Sequence, residues 1–347
     1  MYRVAIIGVG RGGQGIGGHS IGYIHGRCYK AQGQCEIVAV ADISEENLTN
    51  FSEEFGVKGR YADYHEMLAE TKPDVVSVAT YAGLHRPMVE ACVEAGVRGI
   101  WCEKPFTLTM DDGVAMVEAC EKAGVKMIID HQRRYLHHFR EAKRLWKEGV
   151  VGSAVQIFAN VGAPDMMEWG THWLDMMYFF MDDRPAQWVL GQARCTGARR
   201  AYGHLQEEHA VAYIGFEDGT RGILESIERI NGDFAIRLMG TEGYIDCKWD
   251  GRLQLLNSEG LREIPVRSGL HTPHKGLDSE DAWLAALQAL LDWLEGSPEP
   301  EVSARKGLAS SELYLAAYES ARRRDRIDLS LRGQSEPPLD ALAENRP

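Results

Sequence analysis

The chain has 347 residues, long for one domain. Hydrophobic residues make up 44% and charged residues 26%, enough for a sizeable core in each of two expected domains. A formal net charge of −13 and a pI near 5.4 exclude a large basic face, and with it broad contact with nucleic acid or anionic lipid. A dinucleotide stays open, because backbone N–H groups hold its phosphates. Seven cysteines (28, 35, 92, 102, 120, 195 and 247) form no CxxC pair and suit reduced thiols in a cytoplasm. The first residues, MYRVAIIGVG, run straight into a strand without the features of a signal peptide. No window offers 18 uninterrupted apolar residues, so no membrane span is expected.

In chain order, RVAII (3–7) and EIVAVA (36–41) are short apolar runs separated by glycines and a helix over about 21–32. The pattern recurs with DVVSVAT (74–80), a helix at 85–95, GIWCEKP (99–105), a helix at 111–123 and KMIID (126–130). Apolar strands alternating with amphipathic helices predict a parallel sheet covered on both faces. After about residue 135 the pattern changes. Helices at 137–148 and 168–181 flank a strand near 154–160, and alternating strands follow at 188–195, 209–216, 220–228, 233–239, 243–249, 252–257 and 261–266. That predicts an α+β domain with a mostly antiparallel sheet. Helices over 279–295 and 303–323 close the fold, and the tail GQSEPPLDALAENRP has too little apolar content to pack. The expected division is 1–132, 133–330 and a mobile tail, 331–347.

Gly8-Val9-Gly10-Arg11-Gly12-Gly13 gives GxGxxG at the end of the first strand. Such glycines allow a tight turn and close approach to a pyrophosphate at a helix N-terminus. Asp42, at the end of the second strand, accepts ribose hydroxyls and repels a 2′-phosphate, which favours NAD over NADP. Gly13 to Asp42 is longer than the usual spacing of about 20 residues, whereas Gly22 stands 20 positions before Asp42. An insertion over about 11–20 is therefore expected, with the identity of the third structural glycine left open.

Glu103-Lys104-Pro105 ends the apolar run GIWC, where a lysine either points into the ligand crevice or pairs with Glu103. Further on, Glu168, His172 and Asp175 fall within about 60° on one side of a helix at the helical periodicity. Apolar residues fill most of the remaining circumference, so this helix is buried. Its polar triad is either a self-satisfied knot or a general base oriented by a carboxylate. Arg133, Arg134 and Tyr135 follow the apolar run KMIID and either hold substrate oxygens or bridge the domains. His137 and His138 are expected at the surface. His271 and His274 lack supporting ligands, and no metal site is expected.

The glycine turn with IGYIH, Asp42, VATYAGLH (78–85), EKP, HQRRY (131–135), EWGTHWLD (168–175), FEDGTRG (216–222) and GTEGYI (240–245) together resemble the glucose-fructose oxidoreductase/inositol dehydrogenase/MocA family over nearly the whole chain. The resemblance implies an N-terminal Rossmann domain followed by an α+β domain with a large open-faced sheet. It implies hydride transfer between a nicotinamide and a hydroxyl carbon of a sugar, sugar derivative or cyclitol, in a homodimer or homotetramer. It makes Lys104 and His172 catalytic, with Asp175 or Glu168 serving the histidine. Position 168 departs from the family's usual aspartate, and Thr80-Tyr81 from its usual Thr-Pro. Thr80, His85, Glu103 and Lys104 join Gly8, Gly10, Arg11, Gly12, Gly13, Gly22 and Asp42 on the cofactor side. Lys104, Arg133, Tyr135, Trp169 and His172 surround the substrate. Two rivals remain: a glycoside-cleaving enzyme that oxidises its substrate transiently on retained NAD, and a non-catalytic dinucleotide-binding regulator.

Overall fold

The computed structural model describes residues 1–10, 21–162, 165–227, 235–266 and 281–344. They belong to two compact units. The first comprises Met1–Phe106, Gly113–Gln132 and Pro273–Arg305; the second comprises Thr107–Asp112, Arg133–Thr272 and Lys306–Pro347. The sequence predicts one crossing at 132/133, whereas the chain also returns later to the first unit. The reason is apolar: α8 (Asp281–Leu294) buries Trp283, Leu287, Leu290 and Leu291 there.

The first unit is built on six parallel strands among the described residues: β1 (Tyr2–Ile7), β2 (Cys35–Ala41), β3 (Gly59–Tyr61), β4 (Val75–Val78), β5 (Gly99–Cys102) and β6 (Lys126–Ile129). Their spatial order is β3-β2-β1-β4-β5-β6. Every residue of β4 and β5 is buried, as a sheet covered on both faces requires. The crossovers are α1 (Ile21–Gln32), α2 (Glu45–Phe55), α3 (Tyr64–Thr71), α4 (His85–Glu94) and α5 (Met110–Ala123). No long apolar run marks an element between Asp42 and Asp74. That stretch holds α2, capped by the Ser44 side chain, and α3, capped by Asp63.

In the second unit, α6 (His137–Lys147) precedes β7 (Ala154–Val161), and α7 (Thr171–Phe180) follows a single π-helical turn, Met166–Gly170. Then come β8 (Ala186–Arg194), the small hairpin of β9 (Arg199–Ala201) and β10 (His204–Gln206), β11 (His209–Phe216), β12 (Arg221–Ile227), β13 (Ile236–Gly240), β14 (Gly243–Cys247), β15 (Leu253–Asn257) and β16 (Gly260–Ile264). After α9 (Ala304–Arg323), β17 (Ile327–Asp328) completes a nine-stranded sheet in the order β16-β15-β14-β13-β7-β12-β11-β8-β17. All neighbours pair antiparallel except β7 with β12. One face buries Ile157, Ala159, Ala212, Ile214, Leu224, Leu238, Ile245 and Leu255. Helix α7 packs closely on it, since a Cβ on Gly222 would stand 2.9 Å from the Met177 sulfur.

The tail, expected to be mobile, is packed through α10 (Pro338–Ala343). Leu331, Leu339 and Ala341 are buried, and the Gln334 side chain accepts the Met110 N–H at 2.7 Å. The few apolar residues of this segment are spaced to face inward, which average composition conceals.

The turn after β1 depends on two glycines. Gly8 has φ +92°, and a Cβ on it would lie 2.5 Å from the Ala79 carbonyl oxygen. A Cβ on Gly22 would lie 2.4 Å from the Gly8 oxygen. Gly22 therefore performs the close helix-to-strand packing that the sequence leaves open among several glycines. Gly22→Ala should push α1 off β1, costing about 1–3 kcal/mol as other overpacking changes do. An unshifted urea midpoint would contradict this.

Candidate active site

Asp42 sits beside the glycine turn. Its carboxylate accepts the Val9 N–H at 2.9 Å, the Ser44 N–H at 2.9 Å and the Asn47 amide at 3.0 Å. A carboxylate offers about four acceptor positions, so capacity remains for a ribose hydroxyl. Gly10 keeps the loop low, since a Cβ there would stand 3.2 Å from Asn47. Ile43, next to Asp42, is 97% exposed and offers an apolar surface that sequence reasoning missed. Arg11, Gly12 and Gly13 lie outside the described residues, as do His271 and His274.

At the end of β4, Thr80 is half-buried, with its hydroxyl 3.3 Å from the Met88 sulfur. Tyr81 and Leu84 are exposed beside it. The Tyr81 ring replaces the proline that the family pattern predicts and presents an aromatic surface at the sheet's carboxyl edge. His85 requires a correction. It is fully buried, and its ring nitrogens lie 3.0 Å from the carbonyl oxygens of Phe106 and Thr80, so it ties two loops together instead of facing a cofactor. Burial holds its imidazole below the ordinary pKa.

Glu103 requires the same correction. Its side chain turns inward toward His25, and one oxygen accepts the Lys104 N–H at 3.0 Å. Glu103 is buried instead of at the surface, with the Lys104 charge near enough to favour its ionised form. Lys104 itself is half-buried, two residues beyond the end of β5.

In the second unit, His172 stands on the first turn of α7 and is 4% exposed. The π turn before it is held by a buried polar cradle. Asp165, at φ +114°, accepts the Glu168 N–H at 2.9 Å and the Gln206 amide at 2.7 Å, with His204 Nε2 at 3.3 Å. Glu207 accepts the Met166 N–H at 2.5 Å and the Tyr318 hydroxyl at 2.9 Å, while the Met167 N–H reaches Tyr318 at 3.1 Å. Burial and the charge of Asp165 push the Glu207 carboxyl up to about 7. Sequence reasoning missed this cradle because its members are scattered from 165 to 318, with no motif joining them. Glu168 is buried on the π turn, whereas Trp169 beside it is 41% exposed.

Asp175 is committed elsewhere than the helical wheel suggests. Arg134 grips it with Nε and Nη2, both at 2.8 Å, and Ser310 donates to it at 3.0 Å. Arg134 also reaches Asp183 at 2.7 Å, so its salt bridge lies within the second unit. Arg133 behaves differently. It is 4% exposed, lies 4.2 Å over the Trp173 ring, and two of its nitrogens have no hydrogen-bond partner. Burial pulls its guanidinium down to about 9, leaving it charged at neutral pH. Tyr135 is half-buried with Arg140 5.1 Å from its ring centroid. His138, expected at the surface, is buried against Phe139, whereas His137 is exposed. Because Arg134 and Asp175 are both nearly inaccessible, Asp175→Asn should leave a buried cation underpaired. A loss of about 3–5 kcal/mol in urea unfolding is expected, and a change below the scatter of the measurement would refute the assignment.

Residues 2–131 match the model of an oxidoreductase family with an NAD-binding Rossmann fold. The D-apiose dehydrogenase of Paraburkholderia graminis is 28% identical, over 85% of this chain and 83% of its own length. The myo-inositol 2-dehydrogenase of Thermotoga maritima is 25% identical, over 94% of this chain and 98% of its own. An oxidoreductase from Agrobacterium radiobacter, solved with NAD+, L-tartaric acid and magnesium, superposes with a TM-score of 0.77 at 21% identity, covering 94% of this chain and 98% of that one. The glycine turn, Asp42 and the EKP strand end all lie within residues 2–131, the part of the chain that matches the NAD-binding Rossmann domain of the glucose-fructose oxidoreductase/inositol dehydrogenase/MocA oxidoreductases.

Proposed function

We propose that this protein is an NAD-dependent dehydrogenase that removes hydride from a hydroxyl carbon of a sugar, sugar derivative or cyclitol. One observation carries the reading: the Gly8 turn, Asp42 and Lys104 all stand at the carboxyl edge of a single parallel sheet, where α/β folds bind ligands. The turn fits a dinucleotide, since the glycines at 8 and 22 let β1 and α1 close tightly against each other, as a pyrophosphate-binding turn requires. Bound NAD supplies the hydride acceptor, and the chain supplies position and electrostatics. Asp42 takes the ribose hydroxyls and rejects a 2′-phosphate. Lys104 donates to the reacting oxygen and stabilises the negative charge developing on it. His172, in the second unit, accepts the hydroxyl proton. Trp169 and Tyr135 provide surfaces for the substrate's carbon skeleton, and Arg133, with its unused donors, binds substrate oxygens. Seven free thiols suit work in the reducing cytoplasm.

A panel of sugars and cyclitols with added NAD or NADP, read for NADH absorbance and for released aglycone, tests the reading. NAD should be preferred by at least roughly tenfold, the effect of a misplaced charge worth about 1.4 kcal/mol. His172→Asn should lower turnover by about 10²–10⁴, the usual worth of a positioned acid–base group. Lys104→Met should lower turnover by orders of magnitude, and both variants should retain NAD affinity. Full activity in either variant would remove that residue from the chemistry. Aglycone release without NADH would select the elimination chemistry, and NAD binding without any turnover would select the regulator.

We further propose that the second unit pairs with another copy through the open face of its sheet. Leu190, Tyr213, Ile223 and Phe158 form a cross-strand row on that face, with Leu190 44% and Tyr213 37% exposed. Light scattering at micromolar concentration should give a dimer or tetramer; a monomer would contradict this.

A further inference from the structure

The first unit buries a second ionisable cluster beneath the Lys104 turn. His25 of α1, Glu103 after β5 and Asp130 after β6 are 0%, 5% and 2% exposed. His25 Nε2 lies 3.7 Å from Glu103 Oε1 and 3.7 Å from Asp130 Oδ2. Nε2, Glu103 Oε1 and Asp130 Oδ1 lack a hydrogen-bond partner. Everything around them is fixed. The imidazole stacks on Trp101 at 3.6 Å between ring centroids, with Nδ1 2.9 Å from the Ser77 hydroxyl. Ser77 is also 2.7 Å from the Tyr29 hydroxyl. Trp283 Nε1 donates to Asp130 at 2.7 Å, and Glu103 Oε2 accepts the Lys104 N–H.

Two ionised carboxylates and a neutral imidazole would leave two negative charges facing each other in a buried space, which is prohibitive. Protons resolve the conflict. We propose that His25, Glu103 and Asp130 form a proton-sharing triad that positions Lys104, with one proton on Nε2 of His25 and one held between the two carboxyl groups. The role assigned to Lys104 rests on the proposed dehydrogenase reading, whereas the shared proton does not. No bond to the substrate is involved: the triad keeps the Glu103 carboxyl beneath the main chain of the turn. Loss of the carboxyl proton sets Glu103 against Asp130 and releases the acceptor that holds the Lys104 N–H.

The electrostatics agree with this geometry. Burial and Asp130 push Glu103 up to about 8. Burial opposes the charge on His25, but Asp130 and Glu103 outweigh it and raise the imidazole above its ordinary value. Burial also opposes ionisation of Asp130, yet the contacts with His25 and Glu103 and the Trp283 donor hold it below the ordinary range. Of the remaining groups facing the triad, Cys102 and Tyr29 are pushed up by burial and stay neutral, and Lys104 favours ionised Glu103.

The full-length protein is compared with Glu103→Gln, Glu103→Ala and Trp283→Phe. Wild-type kcat should fall as pH rises through about 8, where Glu103 loses its proton. Whatever its plateau, Glu103→Gln should stay flat there, having no proton to lose. Glu103→Ala, which leaves the Lys104 N–H unmet, should turn over roughly tenfold more slowly than Glu103→Gln. Trp283→Phe removes a donor to Asp130, so the carboxyl proton is held more tightly and the alkaline fall should move to higher pH. Urea unfolding provides a reading independent of activity. A carboxyl whose folded pKa is raised stabilises the fold below its ordinary 4.5, and that contribution is lost as pH rises through about 8. The stability of Glu103→Gln relative to wild type should therefore increase across that window. Parallel stability curves, or an alkaline fall that neither the Gln nor the Phe variant alters, would overturn the proposal. So would elemental analysis finding one equivalent of a divalent metal, since the three ligand atoms lie within 4.8 Å of one another. If no sugar or cyclitol is oxidised, the dehydrogenase reading fails, while the unfolding curves still decide the triad.

Discussion

A charge taken out of water must meet a partner or give up its ionisation, and this requirement places most of the chemical residues of the chain. Arg134 and Asp175 are almost inaccessible and remain charged because their forked contact satisfies both. That contact joins the segment after β6 to α7, the helix that carries His172. Ser310 extends the same network into α9. Asp165 and Glu207 perform an equivalent task at the other end of α7, where they absorb the N–H groups of a π turn that no regular helix would satisfy. The candidate base is thus fixed at both ends of its short helix by buried polar contacts.

In the first unit the corresponding constraint is steric. The β1–α1 turn brings backbone to backbone so closely that two positions admit no side chain, the tight turn on which a dinucleotide-binding fold depends. Asp42 then faces a loop whose shape its own hydrogen bonds maintain. At the far side of the sheet, buried His85 and Glu103 stabilise the loops beside Lys104. Residues that look like cofactor contacts along the chain therefore support the backbone from beneath.

Arg133 and Arg134 illustrate how adjacent identical residues diverge. Both are buried, but Arg134 is saturated with carboxylates, whereas Arg133 rests on an indole face with donors in reserve. A guanidinium held in that way is stabilised by the aromatic face instead of by a carboxylate. Neither its position in HQRRY nor any periodicity distinguishes the two.

Much of this protein was legible along the chain because the signals are local. Strands β1, β2, β4, β5 and β6 are short apolar runs bounded by glycine or acidic residues, and the antiparallel strands alternate with period two. The GxGxxG turn and Asp42 declare a dinucleotide site because backbone geometry and charge act within one βαβ unit. Helices α2 and α3 went unread because their apolar faces are short and their capping residues are the main signal. The packed tail and the return of α8 to the first unit were hidden because burial there depends on surfaces that distant residues create. For the same reason the chain alone could not choose between Gly13 and Gly22, or tell that His85 and Glu103 face inward and His138 is buried. A residue's type and spacing determine what chemistry it can offer. Which partner it meets, and therefore whether its charge survives and points toward a ligand, was decided only when segments far apart in sequence closed around it.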